Sequence, residues 1–410
     1  MRRANGATGR SVPVRGVLGI LLAAGVSIAV YALPVSGLAP DAGRMLSIFL
    51  FIAILWLTEA IPLFATAFLV PALLVVFGIL DPTTSFAPFF HPVIALLLGG
   101  FMLSISVQKY GLDKRIAIAI LTRVGDRPWS ILLAVIGLTA FLSMWLSNTA
   151  TTAIVIAIIL PIVDQFPPGN RFGKALVLAV PFAANIGGMG TPIGTTPNPM
   201  AISHLQEEGL SIAFIDWTLL AIPIQLLFLL VVAGVLWLMY RPWGRRAEVQ
   251  LDEPSPVGAH GRWVIAITLL TAGFWLTSKL HGVPDSIIAL VPVVLFLGSG
   301  LLNREDFGRV RWDVLALIGG GLALGVGMRA SGLDVWMVSQ INVGELHPML
   351  ILMLFALLAG LLTTFMSNTA TAALLIPVVS SFGMQFGLSS QLVLAVAIVS
   401  SAAMALPVST

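Results

Sequence analysis

The pentapeptide Ser-Asn-Thr-Ala-Thr occupies residues 147–151 and returns letter for letter at residues 367–371. Each copy is a polar tip between two apolar arms of about 16–18 residues, a pattern that differs from the other apolar segments and suits a hairpin that enters and leaves on the same side. We therefore interpret regions 129–165 and 347–386 as helical hairpins, each with a polar tip. Because Ser, Asn and Thr are strong N-cap residues, the arm that follows each tip is expected to begin a helix there.

Helix-end chemistry indicates what such tips can bind. Non-helical backbone at membrane depth is tolerated only where it is buried in protein or lines a cavity. The N–H groups and positive dipole end after each tip suit an anion. The carbonyl oxygens before each tip, with Ser143 and Thr363 one turn upstream, suit a hard cation such as sodium. An ordinary polar turn at the membrane surface is the alternative, but it does not explain two identical copies.

The two tips belong to a longer internal repeat. Four more matches occur in the same order at offsets of 219–221 residues. They are Trp56-Leu57-Thr58 with Trp275-Leu276-Thr277, Pro71 with Pro292, His91-Pro92-Val93 with Trp312-Asp313-Val314, and Gly111-Leu112-Asp113 with Gly332-Leu333-Asp334. From residue 43 to the polar link at 241–262 we count five crossings and one hairpin. An odd number of crossings inverts the second copy, and inverted repeats are typical of secondary transporters.

A broken helix accompanies each tip. The stretch GGMGTPIGTTPN, residues 187–198, cannot be regular helix, because its prolines and glycines interrupt the hydrogen-bond ladder. Its counterpart in the second copy is ALPVST, residues 405–410. Discontinuous helices near the bilayer midplane commonly form the substrate site of transporters.

The composition agrees with an all-α polytopic membrane protein. The 410 residues are 58% hydrophobic and 10% charged, with a mean hydropathy of +1.02. A soluble domain carries about 25% charged residues, so a soluble or disordered chain is excluded. The absence of cysteine excludes a disulfide scaffold.

The basic residues predict the orientation. If the N-terminus is cytoplasmic and both hairpins enter and leave on one side, 18 of the 21 Lys and Arg residues lie inside. Only Arg44, Lys279 and Arg329 then lie on or near the outside. This split follows the positive-inside rule and places the protein in the cell (inner) membrane as a multi-pass protein. It also explains the basic charge as attraction to the lipid bilayer rather than to nucleic acid.

Other residue types argue against catalysis and proton pumping. The five histidines read as residues in or near loops, and we find no paired carboxylates, metal-ligand cluster or Ser/His/Asp set. Several tryptophans at the ends of spans, Trp217 among them, read as interfacial anchors. The glycines of residues 319–327 are expected to mark close helix packing.

These motifs resemble the divalent-anion/sodium symporter family, which carries C4-dicarboxylates, citrate or sulfate. The resemblance covers roughly residues 40–410 and rests on Thr58-Glu59-Ala60-Ile61-Pro62, on both Ser-Asn-Thr tips, and on the breaks at Gly194-Thr195 and Ser409-Thr410. It implies a homodimer in which a scaffold holds a mobile transport domain that moves as an elevator.

The resemblance also implies site residues. One Na+ would be bound by Ser143, Ser147, Asn148 and Gly194, and a second by Thr363, Met366 through its carbonyl, Asn368 and Ser409. The substrate carboxylates would meet Asn148, Thr149, Thr195, Asn368, Thr369 and Thr410. No cationic side chain falls on these positions, which favours sodium coupling over the sodium-independent exchange found elsewhere in the family.

The expected organisation has four parts: an N-terminal tail and extra span (1–42), a first repeat (43–240), a cytoplasmic linker (241–262) and a second repeat (263–410). Family members continue past the second break, so the resemblance implies that the second repeat is cut short at Thr410. The alternatives to sodium-coupled symport are an exchanger of the same fold and a transport-dead membrane sensor or scaffold.

Overall fold

The computed structural model describes residues 14–33, 35–241, 256–340, 347–402 and 404. Within these ranges the chain forms only helices, joined by short turns, and one 3₁₀ turn at Ala87–Phe90. The α-helices are α1 (Val14–Ala32), α2 (Pro40–Thr58), α3 (Leu63–Val76), α4 (Pro82–Phe86), α5 (Pro92–Lys109), α6 (Leu112–Leu121), α7 (Pro128–Ser143), α8 (Asn148–Val163), α9 (Arg171–Gly188), α10 (Pro197–Glu207), α11 (Phe214–Tyr240), α12 (Ala259–Leu276), α13 (Ser278–His281), α14 (Asp285–Ile288), α15 (Leu290–Gly298), α16 (Arg304–Gly308), α17 (Trp312–Ser331), α18 (Leu333–Ser339), α19 (Pro348–Phe365), α20 (Asn368–Phe386) and α21 (Ser389–Ala402).

The outer helices present apolar faces that suit lipid. Among the described residues, six helical segments are long and apolar enough to cross a membrane, by length and composition. Leu230 on α11, Leu269 on α12 and Leu357 on α19 are each more than 60% exposed. A soluble protein would hide such contiguous apolar surface. The all-α polytopic fold predicted from the sequence is therefore confirmed.

Helix α17 lies at the centre of the molecule, and its glycines allow close packing. A Cβ atom at Gly320 would stand 2.6 Å from that of Ala67 on α3, and one at Gly321 would stand 2.9 Å from that of Ala373 on α20. At Gly325 it would meet Nε2 of His204 on α10 at 3.1 Å. These glycines let α17 touch helices from both halves of the chain, as small residues do in membrane proteins.

The matched tryptophans make the same kind of contact. Trp56 at the end of α2 donates its indole N–H to the carbonyl of Leu63, where α3 begins. Trp275 at the end of α12 donates to the carbonyl of Asp285, where α14 begins. Both side chains are fully buried, so each indole sets the angle at which the next span leaves the turn.

Two short helices were not predicted from the sequence. Helices α6 and α18 each follow a left-handed glycine, Gly111 with φ of 63° and Gly332 with φ of 72°. Each bends the chain away from the long helix before it and leads toward a hairpin. The Gly-Leu-Asp letters that match between the halves therefore mark equivalent turns.

The apolar segment at 285–302 does not form one continuous helix. It consists of α14 and the nine-residue α15, joined at Ala289. The backbone of Ala289 packs against α5, where a Cβ atom at Gly99 would stand 2.2 Å from the Ala289 carbonyl oxygen. The helix is therefore interrupted at the point where the chain packs closely against α5.

Candidate functional site

The first hairpin is formed by α7 and α8, and side-chain hydrogen bonds hold its partly buried tip. Helix α7 ends at Ser143, and Ser147 caps α8 by accepting a hydrogen bond from the Ala150 N–H. The buried Ser143 hydroxyl donates to the side-chain oxygen of Asn148 at 2.8 Å. Asn148 in turn donates to the side-chain oxygen of Asn185 on α9 at 3.1 Å. The tip is thus anchored both to its own hairpin and to α9.

The second hairpin, α19 and α20, repeats this arrangement 220 residues later. Ser367 caps α20 by accepting from the Ala370 N–H. The Thr363 hydroxyl lies 2.8 Å from the side-chain oxygen of Asn368 and 2.8 Å from the Ser400 carbonyl on α21. A hydroxyl five residues upstream therefore contacts the tip asparagine in both hairpins. Met366 between them is fully buried.

The predicted break in the helix after the first hairpin lies between α9 and α10, at residues 189–196. The amide of Asn198 donates to the carbonyls of Gly188, Met189 and Thr191 at 2.7–3.3 Å. Trp217 on α11 adds an indole hydrogen bond to the Met189 carbonyl at 2.9 Å. Fixed side chains therefore satisfy carbonyls that the broken helix leaves without backbone partners.

Both tips and this break line one cavity of about 200 Å³. Its polar lining comes from Ser147, Asn148, Thr149, Gly194, Thr195, Thr196, Ser367, Asn368 and Thr369, with α5 and the start of α17 on the opposite side. The N-termini of α8 and α20 both reach this space. The structure thus brings together residues that the sequence predicted from two separate halves.

Glycines keep an oxygen-lined space next to the first tip. A Cβ atom on Gly188 would lie 2.7 Å from the Asn148 side-chain oxygen and 3.0 Å from the Gly194 carbonyl oxygen. One on Gly194 would lie 2.4 Å from the Gly188 carbonyl oxygen. No side chain therefore fits at Gly188 or Gly194, and three uncharged oxygens, those of Asn148, Gly188 and Gly194, lie around these two positions. Such oxygens suit a hard cation.

Two predicted site residues, Ser409 and Thr410, lie outside the described residues. The same is true of the predicted second break at 405–410, since the description of α21 ends at Ala402. The other predicted site residues all lie at the two tips or at the first break. Those that line the cavity are Ser147, Asn148, Thr149, Gly194, Thr195, Asn368 and Thr369. Ser143 and Thr363 each hydrogen-bond to the asparagine of their tip.

Two sequence interpretations need correction. His204 does not lie in a loop: it is 1% exposed within α10, with Nδ1 3.0 Å from the Met200 carbonyl. Trp217 is no interfacial anchor, because it is 1% exposed and supports the break. No cationic side chain lies on the predicted site positions, but Arg311 at the start of α17 also lines the cavity.

Other contributors were missed entirely. Asn185 holds Asn148, and its position as an amide within an apolar segment was a usable signal. Thr196 contacts Thr369 of the second tip, a contact between distant segments that no local pattern indicates. Among the described residues, no cluster of three metal-ligating His, Cys, Asp or Glu side chains occurs.

The fold and this arrangement define a multi-pass membrane transporter. Residues 53–403 match the family model described as citrate transporter (CitMHS), and the chain belongs to this family. It is therefore a transporter of the citrate transporter family and not an enzyme.

Relatives and a solved structure agree with this assignment. The chain is 33% identical over 408 residues to the sodium-dependent dicarboxylate transporter SdcS of Staphylococcus aureus, covering 89% of this chain and 78% of that protein. It is 32% identical over 392 residues to an uncharacterized transporter of Schizosaccharomyces pombe, covering 90% of this chain and 44% of that protein. The crystal structure of the Alcanivorax borkumensis YdaH transporter superposes with a TM-score of 0.58 at 17% identity, over 95% of this chain and 87% of that one.

Proposed function

We propose that this protein is a sodium-coupled symporter of small divalent anions, with a C4-dicarboxylate such as succinate as its substrate. The observation that carries the proposal is the single cavity shared by both Ser-Asn-Thr tips and the broken helix. SdcS, a relative that is 33% identical, is named as a sodium-dependent dicarboxylate transporter.

The anion would occupy the space in front of the two helix N-termini. Thr149 and Thr369 line this space beside Asn148 and Asn368, and Thr195 reaches it from the break. Backbone N–H groups and the positive ends of α8 and α20 favour negative charge there. Two N-termini facing one cavity match the two carboxylates of a dicarboxylate.

The two sodium ions would lie behind the tips, where oxygen atoms converge. At the first tip, Ser143, Ser147, Asn148 and Gly194 would supply oxygens around the space that Gly188 keeps open. At the second, Thr363, the Met366 carbonyl and Asn368 would act together with Ser409. The Thr363 hydroxyl lies 2.8 Å from both the Asn368 side-chain oxygen and the Ser400 carbonyl, so oxygen atoms converge at this tip as well.

We propose an orientation in the inner membrane with the N-terminus cytoplasmic. The distribution of Lys and Arg supports it, because only Arg44, Lys279 and Arg329 of the 21 basic residues would lie on or near the outside. Each of these three has a carboxylate partner in the structure: Arg44 with Asp41, Lys279 with Asp216 and Arg329 with Glu207.

We propose that the protein is a homodimer and that it transports its substrate by an elevator mechanism. The cavity lies between the hairpin tips on one side and α5 and α17 on the other. The first hairpin also forms, with α9 and the second half of α11, an apolar cluster of its own. Such a body can carry its bound solutes past a fixed scaffold. We further propose that the two repeats span residues 43–240 and 263–410.

Uptake into proteoliposomes tests the coupling. Labelled succinate should accumulate under an inward sodium gradient and not under an equal potassium gradient. Equal uptake under both gradients would contradict sodium coupling. Uptake that ignores sodium but requires dicarboxylate inside the vesicle would identify an exchanger of the same fold.

Asparagine variants test the site itself. Asn148→Ala and Asn368→Ala should each abolish sodium-driven uptake, because each amide is bonded within its tip and faces the cavity. Asn170→Ala is the matched control: Asn170 caps α9 through its bond to the Phe172 N–H, and its loss costs about 1 kcal/mol of stability. Normal uptake in either tip variant would remove that residue from the site.

A further inference from the structure

Arg311 brings a formal positive charge to a cavity otherwise lined by neutral groups. Of the described residues that line the cavity, Arg311 alone is charged. It immediately precedes α17 and faces the same space as Asn148 and Asn368 of the two tips. Its side chain is 51% exposed, so the guanidinium meets solvent within reach of an incoming solute.

The guanidinium is held in place by one carboxylate. Its Nε lies 3.1 Å from one oxygen of Asp313, and its Nη2 lies 2.9 Å from the other. This paired geometry uses one edge of the guanidinium. In the part of the chain that the structure describes, Nη1 makes no hydrogen bond. The second edge thus keeps its donors available.

We propose that Arg311 is an anion-recruiting residue of the transport cavity: Asp313 holds its guanidinium by one edge, and the other edge attracts and contacts a carboxylate of the substrate. This inference rests on the proposed function, since it concerns the same anion. A charge at the edge of a binding site mainly raises the rate of encounter and its dependence on salt. The attraction grows with the charge of the ligand, so citrate depends on Arg311 more than succinate does.

The neighbouring Arg309 supplies a matched control. It lies two residues upstream, is 54% exposed and pairs with Asp306 at 3.8 Å. It is not among the residues that line the cavity. Removing either arginine changes the net charge of the protein equally, so a difference between the two variants reports position rather than total charge.

Because the proposed topology places Arg311 on the cytoplasmic side, the experiment measures the KM for succinate and citrate presented to that side, by uptake into inside-out membrane vesicles at low and high ionic strength. Arg311→Gln should raise KM by about tenfold at low salt, as expected for a steering charge, and more for citrate than for succinate. The maximal rate should stay near that of the wild type. Arg311→Lys, which keeps the charge, should restore most of the affinity. Arg309→Gln should leave KM unchanged.

Asp313→Asn separates recruitment from a merely structural role. If Arg311 acts on the anion, Asp313→Asn raises KM less than Arg311→Gln does, because it loosens the guanidinium but keeps its positive charge. If Arg311 only anchors Asp313, the two variants impair transport alike, and the inference is overturned. It is also overturned if Arg311→Gln and Arg309→Gln have equal KM values and equal salt dependence.

Calorimetric titration separates this inference from sodium coupling. The purified wild type and the two glutamine variants are each titrated with succinate, citrate and sulfate. Binding that weakens only in Arg311→Gln, together with uptake that ignores sodium, supports recruitment and contradicts only the coupling. If the wild type binds none of these anions, both proposals fail. Sodium-driven uptake with unchanged anion binding in Arg311→Gln contradicts recruitment alone.

Discussion

The hydroxyls of Thr196 and Thr369 are 2.5 Å apart and share a hydrogen bond, although 173 residues separate them in the chain. Thr196 is the last residue before α10, and Thr369 belongs to the second Ser-Asn-Thr tip. This bond joins the broken helix of the first half directly to the hairpin of the second. It therefore positions both parts of the cavity lining relative to each other.

Thr196→Val should weaken substrate binding without removing a predicted ligand. The valine keeps the shape but leaves the Thr369 hydroxyl without its partner, which costs about 1 kcal/mol, equivalent to about a fivefold rise in the KM for succinate. The measurement is the concentration dependence of uptake. Thr122→Val is the control, because Thr122 is exposed and bonds within its own helix to the Ile118 carbonyl at 2.8 Å. A wild-type KM in Thr196→Val would show that this bond does not position the substrate site.

Gly188→Ala should impair sodium binding at the first tip. Its methyl group would stand 2.7 Å from the Asn148 side-chain oxygen and 3.0 Å from the Gly194 carbonyl. Overpacking costs about 1–3 kcal/mol, so the sodium concentration for half-maximal uptake should rise by about fivefold or more.

Gly137→Ala is the control for this substitution. Gly137 lies inside α7 of the same hairpin, and the structure describes no heavy atom within 4 Å of its ideal Cβ position. Alanine there should favour the helix and leave the sodium dependence unchanged. The same sodium dependence in both variants would place the cation elsewhere.

Local chemistry explains why the tips could be predicted from the sequence. Ser147 and Ser367 cap the helices that follow them, and capping depends only on residues within one turn. The apolar arms around each tip likewise form their hairpins from nearby residues. The break before α10 was predictable for the same reason, since Pro192 and the glycines around it act on their own backbone.

Contacts between distant segments explain what could not be predicted. Arg311 reaches the cavity because α17 begins beside residues more than 160 positions away, which its neighbours in sequence do not indicate. His204 was expected near a loop, but the Gly325 surface of α17 encloses it. Burial depends on which helix packs on which, and periodicity within one segment does not determine that.

The stability of the link between the two halves should depend on pH through Asp306. Lys109 at the end of α5 donates to Asp306 at 2.6 Å and to the Leu301 carbonyl at 3.0 Å. Burial alone raises the pKa of Asp306, but the bonds from Lys109 and from the Asn303 N–H outweigh it and lower the pKa below its usual value. A lowered pKa in the folded state stabilises the protein above the unfolded pKa of about 3.9, and this contribution disappears as the pH falls through the folded value.

Thermal unfolding in detergent, from neutral pH down to about pH 3, tests this prediction. Asp306→Asn should lower the Tm at neutral pH, and its difference from the wild type should narrow in acid. Asp41→Asn is the control. It removes the ion pair between Asp41 and Arg44, whose side chains are 62% and 42% exposed, and such exposed pairs contribute little to stability. A Tm difference that does not change with pH would show that Asp306 stabilises the fold by some means other than its charge.

The orientation can be tested without background, because the sequence contains no cysteine. Lys279 and Arg309 suit single-cysteine substitution, since their side chains are 58% and 54% exposed and lie on opposite sides in the proposed topology. With a membrane-impermeant maleimide on intact cells, Lys279→Cys should be labelled and Arg309→Cys should not. Permeabilised cells should show labelling of both. Labelling of Arg309→Cys alone in intact cells would invert the topology, and with it the side from which the Arg311 cavity is reached.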